Sequence, residues 1–382
     1  MKKKSDYSEN KEINIAVIGV GWIGEVHSEC YKRLEQYIQG VEIILHTVVD
    51  INEDRAKEIA RKYRYKKWDT NWKTVLKNKE IDIVDICTSN KFHKEIAIAA
   101  AKAGKHIICE KPLASNLKDS KELYEEVIKH NVKSLINFPY RKFPALVYIR
   151  QLIMEGKLGD IYNYRSSFTQ DMSMNSNYFD WHFQKSLAGA GCLTTMGIHS
   201  LDMARFLMGD ILEVFALSKT FIKERSSNLN GKITREKVDV DDTTAILAKF
   251  KLGSVGTFFF SWLVAGRKHH MDIEINGSKG SILFNSERLN EIKFCDNDIK
   301  DKKNIGFKNI LIGAEHPYGK LFSLKTGMGI GWKESIVIQL TDFVKAIIED
   351  KKTEPSLHDG LEAQKLVEAI QVSAESNKWV KI

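Results

Sequence analysis

The chain has 382 residues, 43% of them apolar and 28% charged, with a formal net charge of +8. That length suits two globular domains, and that composition excludes an extended disordered chain. The excess Lys is spread along the chain with no basic stripe or interleaved aromatics, so nucleic-acid binding is not expected, and no apolar run is long enough to span a bilayer.

Residues 1–12, MKKKSDYSENKE, carry no apolar run and read as a solvated tail. No apolar stretch of signal-peptide type follows, so the cytoplasm is the expected location. Ile13–Ile18 is a short β-branched run, followed by a Gly-rich turn at 19–24 and a helical stretch over about Trp22–Tyr37. Val41–Asp50 reads as a second strand, Asn52–Lys62 as a helix and Ile81–Cys87 as a third strand. Lys94–Ala103 is an Ala-rich helix, His106–Cys109 a strand, Leu117–Lys129 a helix and Val132–Asn137 a strand. This alternation implies a parallel, doubly wound sheet. The pattern changes near 140–155, where Phe143–Met154 reads as a further helix. Beyond it, Ile161–Gln170, Leu212–Ile222, Thr243–Lys251, Ser254–Leu263, Met271–Asn276 and Ser281–Phe284 suggest a large, open, mostly antiparallel sheet. Helices are expected over Ile198–Leu207, Ser335–Glu349 and Asp359–Ser376, with an irregular segment over 286–330. The expected fold is therefore α/β: a Rossmann domain over 13–140 and a C-terminal α/β domain over 141–382.

Gly19-Val20-Gly21-Trp22-Ile23-Gly24 is G-x-G-x-x-G between a strand and a helix, the context a dinucleotide turn requires. The first Gly permits the turn, the second lets backbone approach a pyrophosphate, and the third lets helix and strand pack. The helix start, including Trp22 and Ile23, offers free N–H groups to phosphate. Asp50, ending the second strand, can accept from both ribose hydroxyls and would repel a 2′-phosphate, so NAD is expected over NADP. The other use of these residues is structural: glycines in a turn and an Asp capping the next helix.

Thr88, Ser89 and Asn90 follow the third apolar run at the edge where such sheets bind ligands. They suit cofactor contact and helix capping alike. His93 serves equally as a packing residue or a ligand contact. Glu110-Lys111-Pro112 follows the strand HIIC, so Lys111 can hydrogen-bond a substrate hydroxyl with Glu110 holding the ammonium; a surface ion pair is the plainer alternative. In AGAGCLTTMGIHSLD, Thr195 and His199 stand four apart and share a face if helical. The pKa of His suits a base near neutral pH, but the residue alone does not decide between catalysis and packing. The five cysteines, Cys30, Cys87, Cys109, Cys192 and Cys295, include no C-x-x-C pair, so neither a disulfide framework nor a metal site is expected.

Taken as a set, GVGWIG, Asp50, TSNKFH, CEKP and AGAGCLTTMGIHSLD resemble the Gfo/Idh/MocA oxidoreductases over nearly the whole chain. Gln170-Asp171, DWHFQKSLAGAG, DMARFLMG, VDVDDT, GSKGSILFNSERLNE and HPYG are similar to the branch containing levoglucosan dehydrogenase. The resemblance implies NAD as cofactor, a sugar or polyol substrate, Lys111 as partner of its hydroxyl and His199 as general base. It implies cofactor contacts at Trp181 and Lys185, and substrate contacts at Gln170, Asp171, His182 and the 316–332 segment. It also implies dimers or tetramers built through the C-terminal sheet. Two positions depart from the family. Thr195 stands where relatives carry an Asp four residues before the His, and His182 stands where they carry an Arg after the Trp. A neutral Thr hydrogen-bonds but cannot stabilise an imidazolium by charge. Three readings follow: a sugar, anhydrosugar or inositol dehydrogenase; a glycoside-cleaving enzyme that oxidises C3 transiently with bound NAD; and a non-catalytic sugar or dinucleotide sensor.

Overall fold

In the computed structural model, residues 11–229, 232–322 and 328–382 are described. The chain divides into two units. One contains residues up to Leu113, Lys121–Asn137 and Lys333–His358; the other contains Ala114–Ser120, Phe138–Trp332 and Asp359–Ile382. The chain thus leaves the first unit briefly at Ala114–Ser120, leaves it again over Phe138–Trp332, returns for Lys333–His358 and ends in the second unit, whereas a single passage near 140 was expected from the change of pattern.

The first unit is a six-stranded parallel sheet. Its strands are β1 (Lys11–Ile18), β2 (Val41–Val49), β3 (Lys67–Asp69), β4 (Ile83–Ile86), β5 (His106–Cys109) and β6 (Ser134–Ile136), in the order β3-β2-β1-β4-β5-β6. Ile13–Ile18 of β1 and all of β4 are buried, as the inner strands of a parallel sheet must be, with Asp85 the one charged residue among them. Strand order reverses between β1 and β4, which opens the ligand crevice of such sheets at their carboxyl ends. Lys11 and Glu12 belong to β1 and not to a tail, because the Lys11 N–H donates to Gly40 at 3.0 Å and pairing with β2 begins there; residues 1–10 lie outside the described residues. The helix after the Gly-rich turn is Trp22–Tyr31, shorter than expected, with a separate 3-10 turn at Leu34–Gln36.

The second unit is built on a nine-stranded mixed sheet. Its strands include β7 (Ile161–Thr169), β8 (Ile211–Lys219), β11 (Thr243–Phe250), β12 (Val255–Ser261), β13 (His270–Gly277) and β14 (Gly280–Asn285), with β9 (Glu224–Leu229) and β10 (Lys232–Lys237) forming a separate hairpin. β15 (Glu291–Asp296) and β16 (Lys308–Leu311) extend one edge, and β17 (Val380–Lys381) closes the other. Among the described residues of this sheet, only the β7–β12 pairing is parallel. The segment expected to be irregular over 286–330 therefore contributes two strands. Along β11 and β13 every second residue is buried, the alternation of a sheet covered on one face. The helix Ile198–Met208 is almost wholly buried in this unit. Its Asp202 receives a two-pronged ion pair from Arg141, at 2.8 Å from Nε and 2.5 Å from a terminal nitrogen, and Arg141 also reaches Asp359 at 3.0 Å.

Candidate active site

The carboxyl ends of β1, β4, β5 and β6 are tied side by side. Cys87 N–H donates to Ile18 at 2.8 Å, Glu110 N–H to Ile86 at 2.9 Å, and Asn137 N–H to Cys109 at 2.8 Å. The loops carrying Gly19, Thr88, Lys111 and Asn137 consequently emerge in a row along one edge.

The Gly-rich turn shows why glycine is needed at two of its positions. Gly19 has φ +86°, and a Cβ there would sit 2.8 Å from the Cys87 carbonyl oxygen. A Cβ on Gly24 would lie 2.1 Å from the carbonyl oxygen of Gly19, so helix and turn meet backbone to backbone. A Cβ on Gly21 would meet nothing within 4 Å. That open face, at the N-cap of the helix Trp22–Tyr31, is where a pyrophosphate would approach. Trp22 and Ile23 are its first two helical residues, and Trp22 is exposed. Asp50 locks the turn: one carboxylate oxygen accepts from Val20 N–H at 2.8 Å and the other from Asn52 N–H at 2.9 Å. Each oxygen keeps a lone pair for a ribose hydroxyl. The residues present thus fit a dinucleotide.

Thr88 and Ser89 are half-buried and Asn90 is buried, in a short 3-10 turn leading into the helix His93–Lys102. Ser89 makes no side-chain cap there, which leaves its expected capping role unfilled. His93 is fully buried, with Nδ1 at 2.9 Å from the Pro112 carbonyl and Nε2 at 3.0 Å from that of Thr88. Both ring nitrogens face backbone carbonyls, so His93 ties the Thr88 loop to the Lys111 loop, the packing use of the two left open by the sequence. Burial holds its pKa below the ordinary histidine range.

Lys111 is half-buried, and its backbone N–H donates to Glu110 Oε2 at 3.1 Å. Burial lowers the ammonium pKa, opposed in part by the charge of Glu110. Such a group releases and regains a proton more readily than a surface lysine. Glu110 is itself buried. Burial alone would raise its carboxyl pKa, but contact with His27, then Lys111 and Asn137, holds it below the ordinary range.

The second unit carries Thr195 and His199. The AGAGC segment folds against Asp241, whose carboxylate accepts from Gly191 N–H at 2.7 Å, Leu193 N–H at 2.9 Å and Cys192 Sγ at 3.0 Å. Glycine is required at 191 because a Cβ there would lie 2.0 Å from the Asp241 carbonyl oxygen. Leu193–Gly197 then forms one π-helical turn that runs directly into the α-helix beginning at Ile198. Thr195 lies in the wide turn and His199 in the α-helix, so the simple four-residue face expected of an α-helix is modified by a π-bulge, a device frequent at functional sites. The His199 ring is buried at 8% exposure and lies tilted against Tyr140, with centroids 4.5 Å apart. The Tyr140 hydroxyl meets His269 Nε2 at 2.7 Å. Burial pushes the Tyr140 phenol up and the His269 imidazole down, so both stay neutral at ordinary pH. Neither residue was singled out from the sequence.

The remaining expected contacts are also in the second unit. Gln170 is half-buried at the end of β7. Asp171 pairs with Lys268 at 2.5 Å, which lowers its carboxyl pKa. Trp181 and His182 are stacked with ring centroids 3.8 Å apart, and His182 Nδ1 lies 3.1 Å from both oxygens of Asp180. Lys185 is exposed, its N–H on Asp239 at 2.6 Å and its ammonium 3.6 Å from Glu375. Within 316–332, residues 323–327 lie outside the described residues; His316 packs edge-on to Tyr148 at 4.8 Å.

Comparison with known proteins decides the family. Residues 13–138 match the family model described as an oxidoreductase family with an NAD-binding Rossmann fold, and residues 146–283 match the Gfo/Idh/MocA C-terminal domain. The levoglucosan dehydrogenase of Pseudarthrobacter phenanthrenivorans is 35% identical over 97% of this chain and 98% of its own length. The chain belongs to the Gfo/Idh/MocA family. It is an NAD-dependent oxidoreductase, and its first unit is the family's cofactor domain. Myo-inositol 2-dehydrogenase of Thermotoga maritima is 28% identical over 97% of the chain and 98% of its own length. Among solved structures, levoglucosan dehydrogenase in complex with NADH and L-sorbose superposes with a TM-score of 0.94 at 36% identity, covering 97% of this chain and 98% of that one. The same enzyme in complex with NADH and levoglucosan gives 0.93 at 35% identity, covering 97% and 100%. Among the described residues of this family member, no helix is long and apolar enough to cross a membrane.

Proposed function

We propose that this enzyme oxidises a secondary hydroxyl of a cyclic sugar, anhydrosugar or inositol, with NAD preferred over NADP. The observation that carries the reading is Lys111, a lysine whose ammonium pKa is lowered by burial and whose backbone N–H is held by the buried Glu110 carboxylate, on the strand edge that also carries the Gly-rich turn. Its similarity to levoglucosan dehydrogenase supports a cyclic carbohydrate as the substrate class.

In this reading the bound nicotinamide supplies a hydride acceptor. Lys111 donates a hydrogen bond to the reacting hydroxyl and orients it. His199 removes the hydroxyl proton as the carbon gives up its hydride, leaving a ketone. Thr195 hydrogen-bonds the substrate where the family carboxylate would stand. Gln170, Asp171 and His182 contribute to substrate choice, and Thr88, Ser89, Asn90, Trp181 and Lys185 to cofactor binding. Asp50 binds the ribose hydroxyls and disfavours a 2′-phosphate by like charge. Dimers or tetramers form through the nine-stranded sheet, whose outer face carries exposed Leu217, Leu247, Val255 and Phe259.

The test is NADH formation by purified enzyme with a panel of levoglucosan, inositols and pyranoses. At least one member should give turnover, and Lys111→Ala should lower kcat by about 10²–10⁴-fold, the range of general acid–base groups. Full activity in Lys111→Ala would overturn the assigned mechanism. Cleavage of a glycoside without net NADH would assign the transient-oxidation chemistry instead.

A further inference from the structure

We propose that His27 is a positioning residue whose imidazolium, clamped between Asp85 and Glu110, keeps the Glu110 carboxylate charged and aligned beside Lys111. The catalytic consequence rests on the reading of Lys111 given above; the charge assignment does not.

His27 lies in the helix that follows the Gly-rich turn and is completely buried. Its Nδ1 is 2.8 Å from Asp85 Oδ2, and its Nε2 is 3.3 Å from Glu110 Oε1. The Tyr31 hydroxyl donates to the same Asp85 oxygen at 2.8 Å. Asn137 donates its amide to Glu110 Oε1 and also stands 3.1 Å from His27 Nε2. The amide is oriented by Gln339, which donates to Asn137 Oδ1 at 2.5 Å, so the Asn137 NH₂ end must face Glu110 and His27.

Two states satisfy this geometry. A neutral ring would accept at Nε2 from Asn137; an imidazolium would donate from Nε2 to Glu110. Charge decides between them. The titratable groups facing His27 are Cys30 and Tyr31 on its own helix, Asp85 and Cys87 from β4 and its following turn, Tyr65 from the segment after the helix Glu53–Tyr63, and Glu110 after β5. Burial pushes the thiols and phenols up, so they stay uncharged at neutral pH. That leaves two buried carboxylates, and a neutral ring would give Asp85 no cation. Buried charges persist only when paired, so the imidazolium is the state that closes the network. Burial alone would lower the His27 pKa, but Asp85 and Cys87 together outweigh it and leave the ring above the ordinary range.

His27, Asp85 and Cys87 also form a group of metal-ligand type. The direct hydrogen-bond separation of ring and carboxylate, with a thiol that burial keeps protonated, describes a shared proton better than an ion. The chain of contacts then runs from Asp85 through His27 to Glu110 and on to Lys111, whose N–H occupies the second Glu110 oxygen.

The test is NMR on the full-length protein. In the wild type, ¹⁵N-labelled His27 should carry protons on both ring nitrogens at about pH 8, and the Glu110 carboxyl carbon, assigned by its loss in Glu110→Gln, should remain ionised through about pH 5. In His27→Gln the Glu110 titration should rise by about one pH unit or more, a tenfold change in its ionised ratio. NAD reduction by His27→Gln should then acquire an acid-side loss absent from the wild type and abolished in the double variant with Glu110→Gln. A purely structural His27 would lower activity equally at every pH. A neutral ring in the wild type, or an unmoved Glu110 titration in His27→Gln, would overturn the proposal. If His27→Gln does not fold, the wild-type ring signal decides. If no substrate in the panel reduces NAD, the dehydrogenase reading fails, while the two titrations still decide the charge on His27 and Glu110.

Discussion

Replacing Gly24 and Gly21 by alanine, one at a time, separates packing from ligand approach in the same six-residue turn. At Gly24 the added Cβ would lie 2.1 Å from the Gly19 carbonyl oxygen and 3.2 Å from Cys87 Cβ. The first contact is short of van der Waals separation by about 1 Å and meets a backbone oxygen that no rotamer change can move aside, so the helix Trp22–Tyr31 must move away from β1. Overpacking of this kind costs about 1–3 kcal/mol. The same displacement shifts the helix N-terminus relative to Gly19 by about 1 Å, and an error of that size in a positioning element costs up to about 10²-fold. Gly24→Ala should therefore melt below the wild type and bind NADH about 10- to 100-fold more weakly. At Gly21 the backbone has φ −62°, which alanine adopts freely, and the Cβ meets nothing. Gly21→Ala should change stability by less than about 1 kcal/mol, yet it places a methyl group on the face a pyrophosphate must approach. Thermal unfolding without cofactor, together with titration of NADH fluorescence, measures both effects. Wild-type NADH affinity in Gly21→Ala, or wild-type stability in Gly24→Ala, would refute the assignment of this turn.

Two further predictions concern charge. Arg141→Ala leaves Asp202 buried without its two-pronged partner and beside the like charge of Asp359, and should lower unfolding stability by about 3–5 kcal/mol, measured by urea denaturation; an unchanged midpoint would show that Arg205 alone compensates the buried carboxylates. Glu25, in contact with Lys62, Arg55 and Tyr63, has its carboxyl pKa lowered to about 2. A depressed carboxylate contributes stability that is present above the ordinary pKa of 4.5 and lost as pH falls through about 2. Glu25→Gln should thus unfold at lower urea than the wild type at neutral pH, with the gap closing across that window; a gap independent of pH would contradict the ion-pair assignment.

The turn was legible in the sequence because its requirement is local: strand, glycines at fixed spacing, helix and terminal acid all lie within 13–50. Lys111 was legible for the same reason, being fixed by the end of β5. The strands that escaped notice lack the signal a reader looks for. β3 is three residues, Lys67-Trp68-Asp69, with no buried side chain. β16, Lys308–Leu311, is mostly exposed at the sheet edge. The β9–β10 hairpin is largely polar, so it has no apolar alternation to count. The His27 network was invisible for another reason. Its members come from positions 27, 85, 110, 137 and 339, and a single sequence carries no record of contacts across such separations. The π-turn at Leu193–Gly197 likewise depends on Asp241, roughly fifty residues downstream.

The late return of the chain to its first unit has a consequence for how that unit is made. β6 takes a hydrogen bond partner from Pro355, and Asn137 takes its orienting donor from Gln339. During synthesis the ribosome releases all six strands of the cofactor sheet long before either partner exists. A nascent chain paused anywhere between Asn137 and Lys333 carries the sheet with its last strand and its buried amide still incomplete. Maturation of the dinucleotide domain is therefore coupled in time to synthesis of nearly the whole second unit, and a fragment cut at residue 140 is an unfinished domain.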